Sequence, residues 1–160
     1  MELRKYINFL RPLLLTVLIG LISISAQAAD IQGIAGYTLG DVLNKEFILN
    51  TKKAEDGVTV YSVKPLQSAP QVDILSVRIT PTGQIHRISA FTSKLNAAQC
   101  QTEMTALRKQ TEKEFPALGY YAMDQSEMFY QDDRTYTLEC IKFDGGIRLR
   151  QEYSDDKLAK

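Results

Sequence analysis

The chain has 160 residues and carries 19 basic and 19 acidic side chains, so its formal net charge is zero. Because nucleic-acid-binding domains carry a marked excess of lysine and arginine, this balance excludes a nucleic-acid partner. The length suits one domain built around a single hydrophobic core.

The N-terminus has the pattern of a secretory signal peptide. Three basic residues in the first twelve precede a largely apolar run over residues 13–22, and Ala26 and Ala28 supply the small residues that a signal peptidase accepts. The run is too short for a membrane-spanning helix, which needs about 20 apolar residues. We therefore expect residues 1–28 to be removed, leaving residues 29–160 as a single domain in the periplasm or outside the cell, with no stable membrane anchor.

The chain contains two cysteines, Cys100 and Cys140. In an oxidising compartment two cysteines are most simply paired, so the sequence predicts one disulfide. The pair lacks the C-x-x-C spacing of thiol oxidoreductases, and two cysteines with one histidine do not supply a metal site. We expect neither a metal ion nor a cofactor.

The first part of the expected mature chain alternates loops with strand patterns. Residues 33–43 mix glycines with apolar side chains, which predicts a loop leading into a short helical turn that Thr38 caps. Residues 47–51 and 58–63 are rich in strand-forming side chains on either side of a polar stretch that contains a glycine. They predict a first hairpin.

A second hairpin and a helix follow. Residues 72–80 and 84–92 flank Pro81-Thr82-Gly83, a turn in which proline presets the first position and glycine supplies the left-handed residue. A helix is predicted over residues 96–115, because Asn96 can cap it, with Gln99 three residues later, and a proline follows its end. Apolar and small side chains recur at spacings of three and four, and these form its predicted buried stripe: Ala97, Cys100, Met104, Leu107, Thr111 and Phe115.

The C-terminal part predicts three strands, at residues 127–131, 135–143 and 147–153, after a loop through Tyr120 and Tyr121. In the middle strand, alternation places Cys140 on the same face as two apolar neighbours, so a disulfide to the helix would make that face the core. The fold class we expect is α+β, with an antiparallel sheet of hairpins and a C-terminal meander, one long helix packed across it, and a single disulfide.

Charged side chains alternate along the last predicted strand. Arg148, Arg150 and Glu152 share one face of it, opposite the predicted core. Such a pattern is typical of the charges that protect an edge strand.

The sequence contains no set of residues that specifies a catalytic reaction. His86 is the single imidazole and lies in a strand roughly opposite Arg78, whose charge would disfavour the protonated form. Four carboxylates occur in ten residues around Asp132 and Asp133, but they lack the spacing of a calcium-binding loop. We interpret them as a solvated acidic loop. We expect a protein that is not an enzyme, with a small periplasmic hydrolase as one alternative.

Aromatic and methionine side chains are densest just after the helix. If they are exposed they mark a surface for a partner, and if they are buried they close one end of the core. The sequence therefore predicts a protein that binds another envelope or secreted protein, with an inhibitor or immunity protein against a cell-wall hydrolase or toxin as the alternative. The predicted binding residues are Tyr120, Tyr121, Met123, Phe129 and Tyr130.

Overall fold

A computed structural model describes residues 30–160 of the chain. The expected signal peptide, residues 1–28, and its cleavage site after Ala28 lie outside the described residues. Among the helices that the structure does describe, none is long and apolar enough to cross a membrane.

The described residues form ten strands and one α-helix, so the α+β class is confirmed at that level. Eight of these strands belong to one antiparallel sheet, and the other two form a separate hairpin. In chain order the elements are β1 (Gly33–Ile34), β2 (Tyr37–Thr38), a 3-10 helix (Lys45–Phe47), β3 (Ile48–Lys53), β4 (Thr59–Val63), β5 (Ile74–Ile79), β6 (Ile85–Phe91), α1 (Ala97–Glu114), β7 (Gly119–Met123), β8 (Ser126–Gln131), β9 (Arg134–Phe143) and β10 (Gly146–Asp155).

Eight strands make up the main sheet, in the order β3-β4-β5-β6-β10-β9-β8-β7. The N-terminal and C-terminal halves of the sheet meet where β6 pairs with β10, with Ala90 opposite Gln151. Helix α1 follows β6, packs on β9 and β10, and leads into β7 at the far edge. We call the face that α1 covers the helix-side face, and the other the open face.

The disulfide between Cys100 and Cys140 is present, with Cα atoms 6.0 Å apart. Cys100 is fully buried on α1, and Leu138, two residues before Cys140 in β9, is fully buried as well. The strand alternation and the middle of the predicted helical stripe therefore both point to the core, where Cys100, Met104 and Thr111 are buried. The ends of the stripe differ, because Ala97 is exposed and Phe115 is only partly buried. The start of the helix also matches, since Asn96 and Gln99 form a capping box.

The predicted helical turn within residues 33–43 is wrong. A small hairpin forms instead, with Ile34 opposite Tyr37 and with Ala35 and Gly36 in its turn, at φ values of 57° and 88°. A turn in which two successive residues have positive φ matches the twist of the two strands that it connects, so it suits a hairpin with a two-residue loop. Thr38 consequently lies in β2 and caps no helix.

The predicted loop through Tyr120 and Tyr121 is also wrong, because both residues lie in β7. The C-terminal unit is therefore a meander of four strands. Gly119 lies opposite Tyr130, and the tyrosine ring is so close that a Cβ atom at Gly119 would be 2.2 Å from its Cζ atom. The ring covers the strand at the one position that lacks a side chain.

The last strand is central, so its interpretation as a protected edge is wrong. β10 pairs with β6 on one side and with β9 on the other. Arg148 is 3% exposed, and its guanidinium donates to the carboxylate of Asp73 at 2.6 Å and to the carbonyl oxygen of Thr92. The guanidinium is buried near the start of β10, where the carboxylate of Asp144 also lies 3.5 Å from it.

Candidate functional site

The predicted binding residues lie on the hairpin of β7 and β8, which divides them between the two faces of the sheet. Tyr121, Met123 and Tyr130 share the open face and are 59%, 47% and 48% exposed. Tyr120 is partly exposed on the helix-side face, where its ring lies 5.2 Å from that of Phe129. Phe129 is 1% exposed and belongs to the core, so it supports the hairpin from below.

The outer edge of β7 presents backbone groups that pair with no described strand. The amide of Cys140 in β9 donates to the carbonyl of Gln125, so the odd-numbered residues of β8 exchange backbone bonds with β9. The even-numbered residues of β8 must then bond to β7, through Tyr121 and its alternate neighbours. The N–H and C=O groups of Tyr120 and Ala122 therefore lie in the plane of the sheet and point outward, away from β8.

The two edges of the main sheet differ in how they are protected. The opposite edge, β3, ends in Lys52 and Lys53 and has a register shift between Ile48 and Asn50, and both features discourage pairing with another strand. Strand β7, with the sequence Gly-Tyr-Tyr-Ala-Met, has no charge and no proline. It is the edge that remains suited to accept a further strand.

Acidic side chains lie at both ends of the β7–β8 hairpin. Asp124 is in the turn after β7, and Asp132 and Asp133 form the turn after β8, at the opposite end of the strands. All three are exposed. The apolar strip of Tyr121, Met123 and Tyr130 is thus bounded by negative charge on each side.

On the helix-side face, Glu127 of β8 faces Arg108 of α1, with 3.4 Å between Oε2 and Nε. Burial raises the pKa of Glu127, although the Arg108 charge acts in the opposite direction. Burial likewise raises the pKa of Tyr120. These contacts fix the hairpin against the helix.

His86 lies at a register shift in the β5–β6 pair, where Arg87 and not His86 is opposite Arg78. Burial lowers the pKa of His86, and the charges of Arg87 and Arg78 lower it further. This direction agrees with the sequence prediction. Among the residues that the structure describes, no group of three or more His, Cys, Asp and Glu side chains is placed to hold a metal ion.

A cleft on the helix-side face was not predicted from the sequence. Its floor contains Gln151 and Tyr153 of β10, and its walls come from the C-terminal half of α1 and from residues 30–34. Alternation along β10 is the signal that was available, because it places Gln151 on the same face as Leu149 and Tyr153. The position of residues 30–34 over that face had no local signal.

No protein-family model matches this chain, and no curated protein and no solved structure shows significant similarity to it.

Proposed function

We propose that this chain is a binding domain for another exported protein, and that it accepts an extended segment of its partner as an additional strand beside β7. The free backbone groups of Tyr120 and Ala122 carry the proposal, since an added strand would complete their hydrogen bonds. Tyr121 and Met123 would then contact alternate side chains of the segment and give it specificity.

The charges around the hairpin indicate the kind of segment. Asp124 at one end, with Asp132 and Asp133 at the other, favours an apolar strand flanked by lysine or arginine. A second copy of this chain fits less well. If two β7 strands paired antiparallel, Asp124 of one copy would approach the end where Asp132 and Asp133 of the other lie, and like charges would meet.

The test uses a peptide of alternating valine and threonine with two lysines at each end, and a matched peptide with glutamates in their place. We expect the lysine peptide to slow amide hydrogen exchange at Tyr120 and Ala122 by at least about tenfold. The glutamate peptide should have a much smaller effect. Ala122→Pro should abolish the protection at Tyr120, because proline removes the outward donor of residue 122 and blocks pairing.

Lys53→Pro is the matched control. The amide of Ala54 bonds back to Val58, so the amide of its neighbour Lys53 points outward from β3 just as that of Ala122 does from β7. Lys53→Pro should leave peptide binding unchanged. Protection that is the same for both proline variants, or absent from the native chain with either peptide, would overturn the proposal. The alternative of a hydrolase or toxin inhibitor stays a prediction.

A further inference from the structure

The cleft on the helix-side face has a volume of about 500 Å³. It lies where the two hydrophobic clusters of the protein adjoin, with Tyr153 packed against both of them. Its volume falls within the usual range of small-molecule sites. It is separate from the β7 edge and does not depend on the proposed function.

The floor of the cleft holds a buried amide with an unused donor. Gln151 is 4% exposed, and its Oε1 accepts a hydrogen bond of 2.9 Å from the hydroxyl of Tyr136. Among the described residues, its Nε2 has no hydrogen-bond partner, although the side chain lines the cleft. Nε2 is not sealed from solvent and opens on the cleft, where it can donate to the acceptor of a ligand.

Aromatic and apolar surface surrounds that amide. The rings of Tyr136 and Tyr153 stack with their centroids 4.5 Å apart, and both side chains line the floor. Ile31 and Ile34 form one wall, and Leu107 belongs to the wall on α1. A ligand therefore needs an apolar body beside its hydrogen-bond acceptor.

The charged side chains that line the cleft are acidic. The described residues that line it include two carboxylates and no lysine or arginine. Asp30 is paired with Arg134, whereas Glu114 accepts, among residues 30–160, only a neutral hydrogen bond, from the amide of Gln110 at 2.9 Å. Burial raises the pKa of Tyr153 on the floor to about 12, and the negative charge of Glu114 acts in the same direction. The field inside the cleft favours a cation and disfavours an anion.

We propose that this cleft binds a small organic cation with an apolar body and a carbonyl or hydroxyl acceptor. The acceptor receives the hydrogen bond from Nε2 of Gln151, the body lies against the tyrosine rings and the wall on α1, and the positive group lies toward Glu114.

Three N-substituted benzamides of similar size test this inference by NMR of the full mature domain: cationic N-(2-aminoethyl)benzamide, neutral N-propylbenzamide and anionic hippurate. We expect the cationic amide to shift the side-chain amide signals of Gln151, with a dissociation constant at least about tenfold below that of hippurate and with N-propylbenzamide between them. Glu114→Gln, at an exposed position, should bring the three constants together. Gln151→Met should weaken all three, while Gln101→Met, on the exposed side of α1, should change none.

Two results would overturn the inference. One is the absence of any shift at Gln151 with N-(2-aminoethyl)benzamide at up to about 10 mM in the folded native chain. The other is equal binding of this cation and of hippurate to the native chain, because the carboxylate of Glu114 would then have no role. Neither result bears on strand addition at β7, which is measured at Tyr120 and Ala122.

Discussion

Cys100 and Cys140 join the buried face of α1 to the helix-side face of β9, with 6.0 Å between their Cα atoms although they are 40 positions apart in the chain. Cys100 is wholly inaccessible to solvent and packs in the same cluster as Leu138 and Leu149. The covalent bond therefore lies inside the core at the contact between the helix and the sheet, and it constrains a large loop of the unfolded chain.

Replacing both cysteines by serine should lower the free energy of unfolding by at least about 3 kcal/mol, because the crosslink is lost and a hydroxyl is buried in an apolar site. Urea unfolding followed by circular dichroism measures the loss. The double alanine variant, which buries no hydroxyl, should lose less. Melting of the serine variant within about 2 °C of the parent would contradict a bond that stabilises the fold.

Local periodicity explains why the disulfide and its surroundings were predictable. The stripe of α1 and the alternation of β9 each place a cysteine on a buried face using only residues nearby in the chain. The turn at Pro81-Thr82-Gly83 was predictable for the same reason, and Gly83 has a φ of 86°.

Features that depend on distant pairing were not predictable. Nothing within residues 147–153 indicates that β10 pairs with β6, more than 50 positions earlier, so Arg148 resembled a charge on an edge. Likewise, β7 could be recognised as a strand only through its pairing with β8. The burial of Phe129 beside the exposed Tyr130 follows from that pairing and from the position of α1.

Tyr153 makes the free energy of unfolding depend on pH in the alkaline range. Burial raises its pKa from 10.0 to about 12, and the pKa of its neighbour Tyr136 is raised too, again mainly by burial. The unfolded chain loses the Tyr153 proton first, so this contribution is complete below pH 10 and is lost as the pH rises towards 12. It amounts to about 3 kcal/mol, from two pKa units.

Tyr153→Phe has no proton to lose and should therefore show a shallower decline in the free energy of unfolding between pH 10 and pH 12. Urea unfolding of both proteins at pH 8, 10, 11 and 12 gives the comparison. Parallel declines would show that Tyr153 ionises equally easily in the folded and unfolded chains, contrary to its burial.

Gly119→Ala tests the close contact with Tyr130. The added Cβ would lie 2.2 Å from Cζ of the ring, which must swing aside, and the ring is free to do so because it is 48% exposed. We expect a loss of stability below about 1 kcal/mol but weaker binding of the lysine-flanked peptide, since the apolar strip is rearranged. Unchanged ring signals of Tyr130 in NMR spectra would contradict the contact.

Two arginine–aspartate pairs in the sheet differ in burial and in the partners of the arginine, since Arg148 also contacts the carbonyl of Thr92 and lies 3.5 Å from the carboxylate of Asp144. The side chains of Arg148 and Asp73 are 4% and 48% exposed, while those of Arg78 and Asp56 are 24% and 53% exposed. Arg148→Met should lower the free energy of unfolding by about 2 kcal/mol, because it leaves the carbonyl of Thr92 and the carboxylate of Asp73 without their donor. Arg78→Met should cost less than about 1 kcal/mol, as exposed pairs do. Equal losses in urea unfolding would mean that the contacts of Arg148 contribute no more than an exposed ion pair.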